Sequence, residues 1–559
     1  MRKIRLTLAL LLSMTLLLCG CESNYGGDVR SDPKKVMSKE DAVTEISSLI
    51  KKVNVSEVTD PVMDIYTDAS EMSALADIDT FAITVQGTGQ INLEIAAPSE
   101  ISGKTPDDWL NVVAEEFNRS GYTVNGKSVS ITVRKIASGE VVTYIAEGGY
   151  RPQLYIPSNY ALGKMLEGYS IETIQLHEGI LRNTAGLLME NSVYETYKAA
   201  HGEPTMKGIL EAAASGEVAF AYTNPYTSAT GLNMLTAMLA AFDANDPLSS
   251  EAVAKLNEYQ KTAPPVAYTT GVLRNSAKKG LVNCMVMEEQ GYINTPELRS
   301  YVYIPAGIRH DHPVYTFSWC TDEEIEAAKK FVEFCMTDKN QQLGKEKGFG
   351  LHDDYVNQDP GLTGTGYISA QKVWKENKTG GDPVAAVFIA DISGSMNGTP
   401  LQSLKDSLIA ASPYISSDSY VGLVSYSSSV TINLPLAQFD DKQRAYFTGE
   451  VKNLKAGGNT ATYDAVIVAM NMLNQLLETT PNARPIIFVL TDGEQNSGYS
   501  LSRITDPVGG MRVPIYSIAY NYNDNGDLEK LSNINEAAVI KAGSDDVVNQ
   551  LRNLFNVNM

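Results

Sequence analysis

Residues 384–395 read Val384-Ala385-Ala386-Val387-Phe388-Ile389-Ala390-Asp391-Ile392-Ser393-Gly394-Ser395, and this stretch decides the fold of the last third of the chain. Seven consecutive apolar residues, Val384 to Ala390, are the pattern of a strand buried on both faces of a parallel sheet. Oxygen-bearing side chains follow at its carboxyl end, and Pro400 then opens a helix. Two later segments repeat the arrangement. Gly457-Gly458-Asn459-Thr460 leads into a helix beginning near Tyr463 and Asp464, and the strand Ile486 to Leu490 runs into Thr491-Asp492-Gly493. In an open α/β sheet, the carboxyl ends of neighbouring strands border one crevice. Asp391, Ser393, Ser395, Thr460 and Asp492 are therefore expected to converge. Two carboxylates and three hydroxyls suit magnesium, manganese or calcium and do not suit zinc or copper. Asp-x-Ser-x-Ser alone also reads as a helix N-cap, but three segments, each following an apolar strand, favour the metal reading.

With those residues in view, 384–559 resembles a von Willebrand factor type A domain, a doubly wound, Rossmann-like α/β fold. The five residues match its metal-ion-dependent adhesion site in order and spacing. The resemblance implies that Ser393, Ser395 and Thr460 coordinate a divalent ion, magnesium first, and that Asp391 and Asp492 act directly or through water. It also implies an open position for an acidic residue of a protein partner or another carboxylate-bearing ligand. A cation with few directly bound anions stays electrophilic, so an outside carboxylate gains by binding it.

Working outward, the polar connector 376–383 separates this domain from a region, 75–375, in which strands alternate with helices. That alternation favours parallel sheets with crossover helices. The helix Asp322 to Met336, then Gln341-Gln342 and Gly348-Phe349, resembles the end of the second lobe in type 2 periplasmic solute-binding proteins. Gly149 to Ser158 and Ala219 to Pro225 are similar echoes. The resemblance implies two α/β lobes hinged around a cleft, serving as ligand sensor, scaffold, or receptor of a transport system with the metal domain as docking module. Ser99, Ser102, Ser158, Thr223, Asn224, Thr227 and Ser228 follow strands and are candidate solute contacts. They read equally well as turn and cap residues.

At the amino end, Arg2, Lys3 and Arg5 precede the apolar run Leu6 to Leu18, an export-signal pattern. The ending Leu18-Cys19-Gly20-Cys21 resembles the lipobox of bacterial lipoproteins. It implies a signal peptide over 1–20, lipidation of Cys21, and a lipid-anchored protein on the outer face of the cytoplasmic membrane or in the periplasm. Residues 21–74 form a tether and N-terminal extension, with a short helix over Ala42 to Val53.

Several classes are excluded or disfavoured by composition. The 559 residues are 43% hydrophobic and 20% charged, as in multi-domain globular proteins. A formal charge of -21 repels phosphate backbones, so nucleic acid is not an expected partner. No Gly-x-Ser-x-Gly elbow or phosphate-cradling Gly-rich loop is present, and no enzyme is expected. Cys284, Cys320 and Cys335 read as core residues, and Asn521 to Asp527 as the loop after the strand Val513 to Ala519. His310-Asp311-His312 reads as a solvated loop pair.

Overall fold

The computed structural model describes residues 37–64, 78–262, 266–267, 270, 273–274, 277, 282–352, 354–378, 382–492, 495–520, 526–534 and 539–542. The signal segment 1–20, Cys21 and the loop 521–525 lie outside the described residues. Among the described residues, no helix is long and apolar enough to cross a membrane.

Val384–Asp391 is the middle strand of a seven-stranded sheet, and all its residues are buried. It pairs in parallel with Tyr420–Tyr426 on one side and with Arg484–Thr491 on the other. Successive side chains of a strand point to opposite faces, and the two cores divide accordingly. Ala385, Val387 and Ile389 pack beneath the helices Thr462–Thr479 and Leu501–Met511. Ala386, Phe388 and Ala390 pack beneath Thr399–Ala411 and Asp441–Asn453. The antiparallel partner of Tyr420–Tyr426 is Val430–Gln438.

The next strand beyond Val430–Gln438 comes from the other end of the chain. Val55–Glu57 pairs in parallel with Val430–Ile432 and forms the edge of the C-terminal sheet. Just before it, the helix Lys39–Leu49 begins at Ser38, whose side chain accepts from the Asp41 N–H. Its buried face, Ala42, Ile46 and Leu49, joins the core under Leu501–Met511. A Cβ at Gly510 would stand 2.7 Å from the Ala42 Cβ, so the two helices touch where only glycine fits. The sequence predicts this helix, beginning slightly later. The structure adds its destination: residues 37–64 complete the C-terminal domain, and the two-lobed region is inserted between them and the rest of it.

That region holds two sheets. The larger runs in the order Ile83–Val85, Lys127–Lys135, Ile91–Ala97, Leu154–Tyr155, Val314–Phe317, Thr173–His177. The smaller runs Val266–Ala267, Phe220–Thr223, Cys284–Glu288, Ala185–Glu190, Tyr301–Pro305. Parallel pairing is expected from the alternation of elements, yet both sheets are mixed. Ala185–Glu190 is antiparallel to both of its neighbours, and Val314–Phe317 is likewise antiparallel to both. The reason is topological: each of these strands is entered from the opposite lobe. The chain crosses between lobes at 178–184 and 306–313, and these segments pair through reciprocal backbone bonds between Asn183 and His310, each 3.0 Å.

The helix Gly364–Asn377 packs on both lobes. Tyr367 lies in the core of the first lobe and Ala370 and Trp374 in that of the second, where Trp374 Nε1 donates to the Tyr222 hydroxyl at 2.7 Å. Arg484 then donates to the Lys378 carbonyl at 3.5 Å, next to the start of Val384–Asp391.

Candidate functional site

At the carboxyl end of Val384–Asp391, Asp391 is fully buried and its carboxylate is held by its own loop and by the neighbouring strand. Oδ1 accepts from the Ser393 N–H at 2.8 Å and Oδ2 from the Thr491 hydroxyl at 2.5 Å. Burial pushes the Asp391 carboxyl above its ordinary pKa, against the lowering effect of those two bonds. Ser393 and Ser395 share a hydrogen bond of 3.0 Å, and Ser395 Oγ donates to Asp492 Oδ1 at 2.9 Å. Asp492 is also raised, by burial first and then by the negative charge of Asp391.

The segment carrying Thr460 is tied to this loop by backbone. Gly457 N–H donates to the Ile392 carbonyl at 2.8 Å, and Gly394 N–H donates to the Gly458 carbonyl at 3.0 Å. Gly458 has φ +90°, a conformation that L side chains rarely adopt. Thr460 is buried, and its N–H donates to Asn496 Oδ1 at 2.9 Å. All five residues read from the sequence thus border one crevice, with Asp391 at the base and Ser395 exposed at the rim. Asn496 and Thr491 support it from outside that set; Thr491 was within the quoted stretch, whereas nothing in the local sequence marks Asn496.

The donor set is hard oxygen. Two carboxylates lifted by burial, Asp492 also by the charge of Asp391, are what a divalent cation relieves, so the residues fit the ion that the fold implies. Among the described residues, no three His, Cys, Asp or Glu side chains form a metal-binding group. A cation here therefore depends on hydroxyl and water ligands, the condition that keeps it electrophilic.

The second crevice lies between the lobes. Of the residues proposed for it from sequence, several bond to their own chain. Ser102 Oγ donates to the Pro98 carbonyl at 2.8 Å. Thr223 donates to Ser228 at 3.0 Å, and Ser228 caps the helix Ala229–Phe242. Asn224 Oδ1 accepts from the Tyr226 N–H at 2.9 Å, while its Nδ2 is buried without a partner. Ser99 is exposed. Thr227 is buried at the closure of the lobes, where its carbonyl accepts from the Gly139 N–H at 3.0 Å. Ser158 is buried and donates to Glu100 in a very short bond.

The reading of His310 and His312 as a solvated pair is overturned: both are 0% exposed. They sit on the crossing segment 306–313, which turns a loop in sequence into the floor of the cleft. Glu288 ends the buried strand Cys284–Glu288 and accepts from Thr230. Sequence reasoning missed Glu100 and Glu288. The usable signal was a carboxylate at the carboxyl end of an apolar strand, the pattern that identified Asp391.

The fold and the two crevices define an α/β protein that pairs a two-lobed solute-binding architecture with an open-sheet domain carrying a hard-oxygen site. Residues 101–350 match the family of bacterial extracellular solute-binding proteins, and 386–555 match the von Willebrand factor type A domain. The chain contains both domains. Binding-protein and type A families are generally non-enzymatic.

Among curated relatives, inter-alpha-trypsin inhibitor heavy chain H3 of Bos taurus is 30% identical over 154 residues, covering 26% of this chain and 17% of that one. The human heavy chain H1 is 27% identical over 191 residues, covering 30% and 20%. The chain thus spans 17% to 20% of these relatives' length. Among solved structures, the sulfate-binding protein SubI from Mycobacterium tuberculosis is 15% identical with a TM-score of 0.35, covering 48% of this chain and 93% of that one. A von Willebrand factor type A protein from Catenulispora acidiphila is 19% identical with a TM-score of 0.29, covering 31% and 42%.

Proposed function

We propose that this is an exported, lipid-anchored surface protein that captures a protein or other carboxylate-bearing ligand through a divalent cation at Asp391, Ser393, Ser395, Thr460 and Asp492. The observation that carries this reading is the shared crevice, in which two raised carboxylates and a hydroxyl pair face a solvent-exposed rim. Ser393, Ser395 and Thr460 would hold the ion, with Asp391 and Asp492 neutralising it directly or through water. When bound, the ion supplies an electrophilic position for an outside carboxylate oxygen. Magnesium is proposed first, with manganese and calcium as alternatives. Cys21 is proposed as the lipid attachment point, and the domain limits 75–375 and 384–559 are proposed with it, amended by the docking of 37–64 onto the second.

The two-lobed domain serves as sensor or scaffold. A second reading, a solute receptor of a transport system, is favoured by buried polar atoms between the lobes that have no hydrogen-bond partner, among them Asn183 Nδ2 and Asn224 Nδ2. The test is capture from the native cell envelope in magnesium and in chelator, with wild type and the Asp391→Ala, Ser393→Ala variant. Capture that needs magnesium and is lost in the variant is expected; equal capture in chelator would contradict the proposal.

A further inference from the structure

The Asp391 carboxylate has a third holder besides the Ser393 N–H and the Thr491 hydroxyl, and it comes from a strand that supplies none of the five crevice residues. Tyr426 ends the strand Tyr420–Tyr426 and is the direct neighbour of Asp391 in the parallel pair. Ile392 N–H donates to the Tyr426 carbonyl at 2.9 Å, which sets the two strand ends level. Side chains alternate along a strand, so Asp391 points to the same face as Val387 and Ile389. Tyr426 lies on that face too, in the core it shares with Tyr463 and Val466 of the helix Thr462–Thr479.

The ring belongs to this apolar core, and a phenylalanine would fill the same space. The hydroxyl has a separate role, because burying one costs stability unless it is bonded. Tyr426 is 0% exposed, and its hydroxyl is bonded on two sides. Thr462 Oγ1 donates to it at 3.1 Å. That leaves the single phenol proton to be given elsewhere. Its receiver is Asp391, a carboxylate that only accepts and that shares a hydrogen bond with this hydroxyl. Tyr426 keeps that proton: burial, and then the negative charge of Asp391, holds its pKa well above the ordinary tyrosine value. The Thr491 hydroxyl, itself on Asp391 Oδ2, also bonds with it. Asp391 ends one strand, Thr491 ends the next, and Thr462 opens the helix that follows the Thr460 segment. The three segments that bring oxygen ligands to the crevice therefore meet below it, at a hydroxyl from a fourth.

Resting on the reading of this crevice as a divalent-cation site, we propose that Tyr426 is a positioning residue for it: the Tyr426 hydroxyl, backed by Thr462, fixes the rotation of the Asp391 carboxylate before an ion arrives. Tyr426 acts through Asp391 and supplies no ligand of its own. Bonds of this kind orient the groups that hold a metal, and losing one costs about 10–100-fold in affinity.

The test is calorimetric titration of magnesium into the chelator-stripped full chain, as wild type and as Tyr426→Phe, Thr462→Val, the two combined, and Thr462→Ser. Tyr426→Phe removes the hydroxyl and keeps the ring, and it should weaken magnesium binding about tenfold. Thr462→Val should weaken it as well, and the double variant should bind no more weakly than Tyr426→Phe, because both changes break one linkage. Thr462→Ser keeps a hydroxyl at that position and should restore the affinity. A packing role predicts the reverse order, with valine, which has the shape of threonine, binding like wild type and serine weakened. Differential scanning calorimetry in EDTA gives a reading without the ion: the C-terminal transition of the double variant should fall no further than that of the lower single variant. Magnesium binding by Tyr426→Phe equal to or tighter than wild type, additive losses in the double variant, or rescue by valine in place of serine would overturn the positioning role and leave the metal site standing. No magnesium binding by the wild type would overturn both.

Discussion

The two crevices share a construction rule and differ in almost everything else. Each gathers polar side chains at the carboxyl ends of strands, as open α/β sheets do. In the C-terminal domain one continuous sheet presents the loops, hydroxyls dominate, and Ser395 is exposed. In the two-lobed domain the groups come from separate sheets and the crossing segments, carboxylates and imidazoles dominate, and the histidines are sealed. A site on one sheet is set by folding. A site between two lobes is set by folding and by closure, so the two should respond to different perturbations.

The largest expected effect is on the first of them and comes from an unexpected direction. Ile46 and Leu49 belong to a helix that precedes the two-lobed domain, yet they are buried in the C-terminal core. Ile46→Ala and Leu49→Ala should each destabilise that domain by about 2–5 kcal/mol. Differential scanning calorimetry should show the transition of the C-terminal domain falling while that of the lobes stays. Loss confined to the lobes would break the comparison.

Closure can be disturbed separately. A Cβ at Gly139 would lie 2.2 Å from the Tyr226 carbonyl oxygen across the lobes. Gly139→Val should part the lobes or cost about 1–3 kcal/mol by overpacking. Small-angle scattering should report a larger radius of gyration, and magnesium binding in the other crevice should be unchanged.

Smaller still is a pH effect confined to the metal crevice. The Asp391 pKa is raised above its ordinary value in the folded chain, by burial first. Between the ordinary and raised values the folded state holds the extra proton, so this group makes stability fall as pH rises through that window. The slope is at most about 1.4 kcal/mol per pH unit for one proton. Denaturant titrations in chelator should show it as a difference between wild type and Asp391→Asn, with the other carboxyls common to both. Parallel stability curves would contradict it.

Much of this was legible in the sequence, and the illegible remainder has physical causes. The strand Val384–Asp391 announces itself because burial on both faces keeps Val384 to Ala390 free of polar residues. The metal crevice is legible because its oxygen ligands crowd directly behind such strands. The destination of the helix Lys39–Leu49 is not, because an amphipathic face specifies that it must be covered and not by what. The mixed pairing of the two sheets in the lobed region escaped for a related reason: crossing segments reverse strand direction without a local mark. Glu100, Glu288, His310 and His312 each look ordinary in their own stretch, and only the crossing of 306–313 between lobes makes them neighbours.

The most direct test of the central claim is a calorimetric titration of magnesium, then manganese, into chelator-treated full-length protein and into its Asp391→Asn variant, which keeps the side-chain shape and removes the charge. One saturable site in the wild type, weakened at least tenfold in the variant, is the predicted result. Equal binding by the two proteins, or none by the wild type with either ion, would contradict the account.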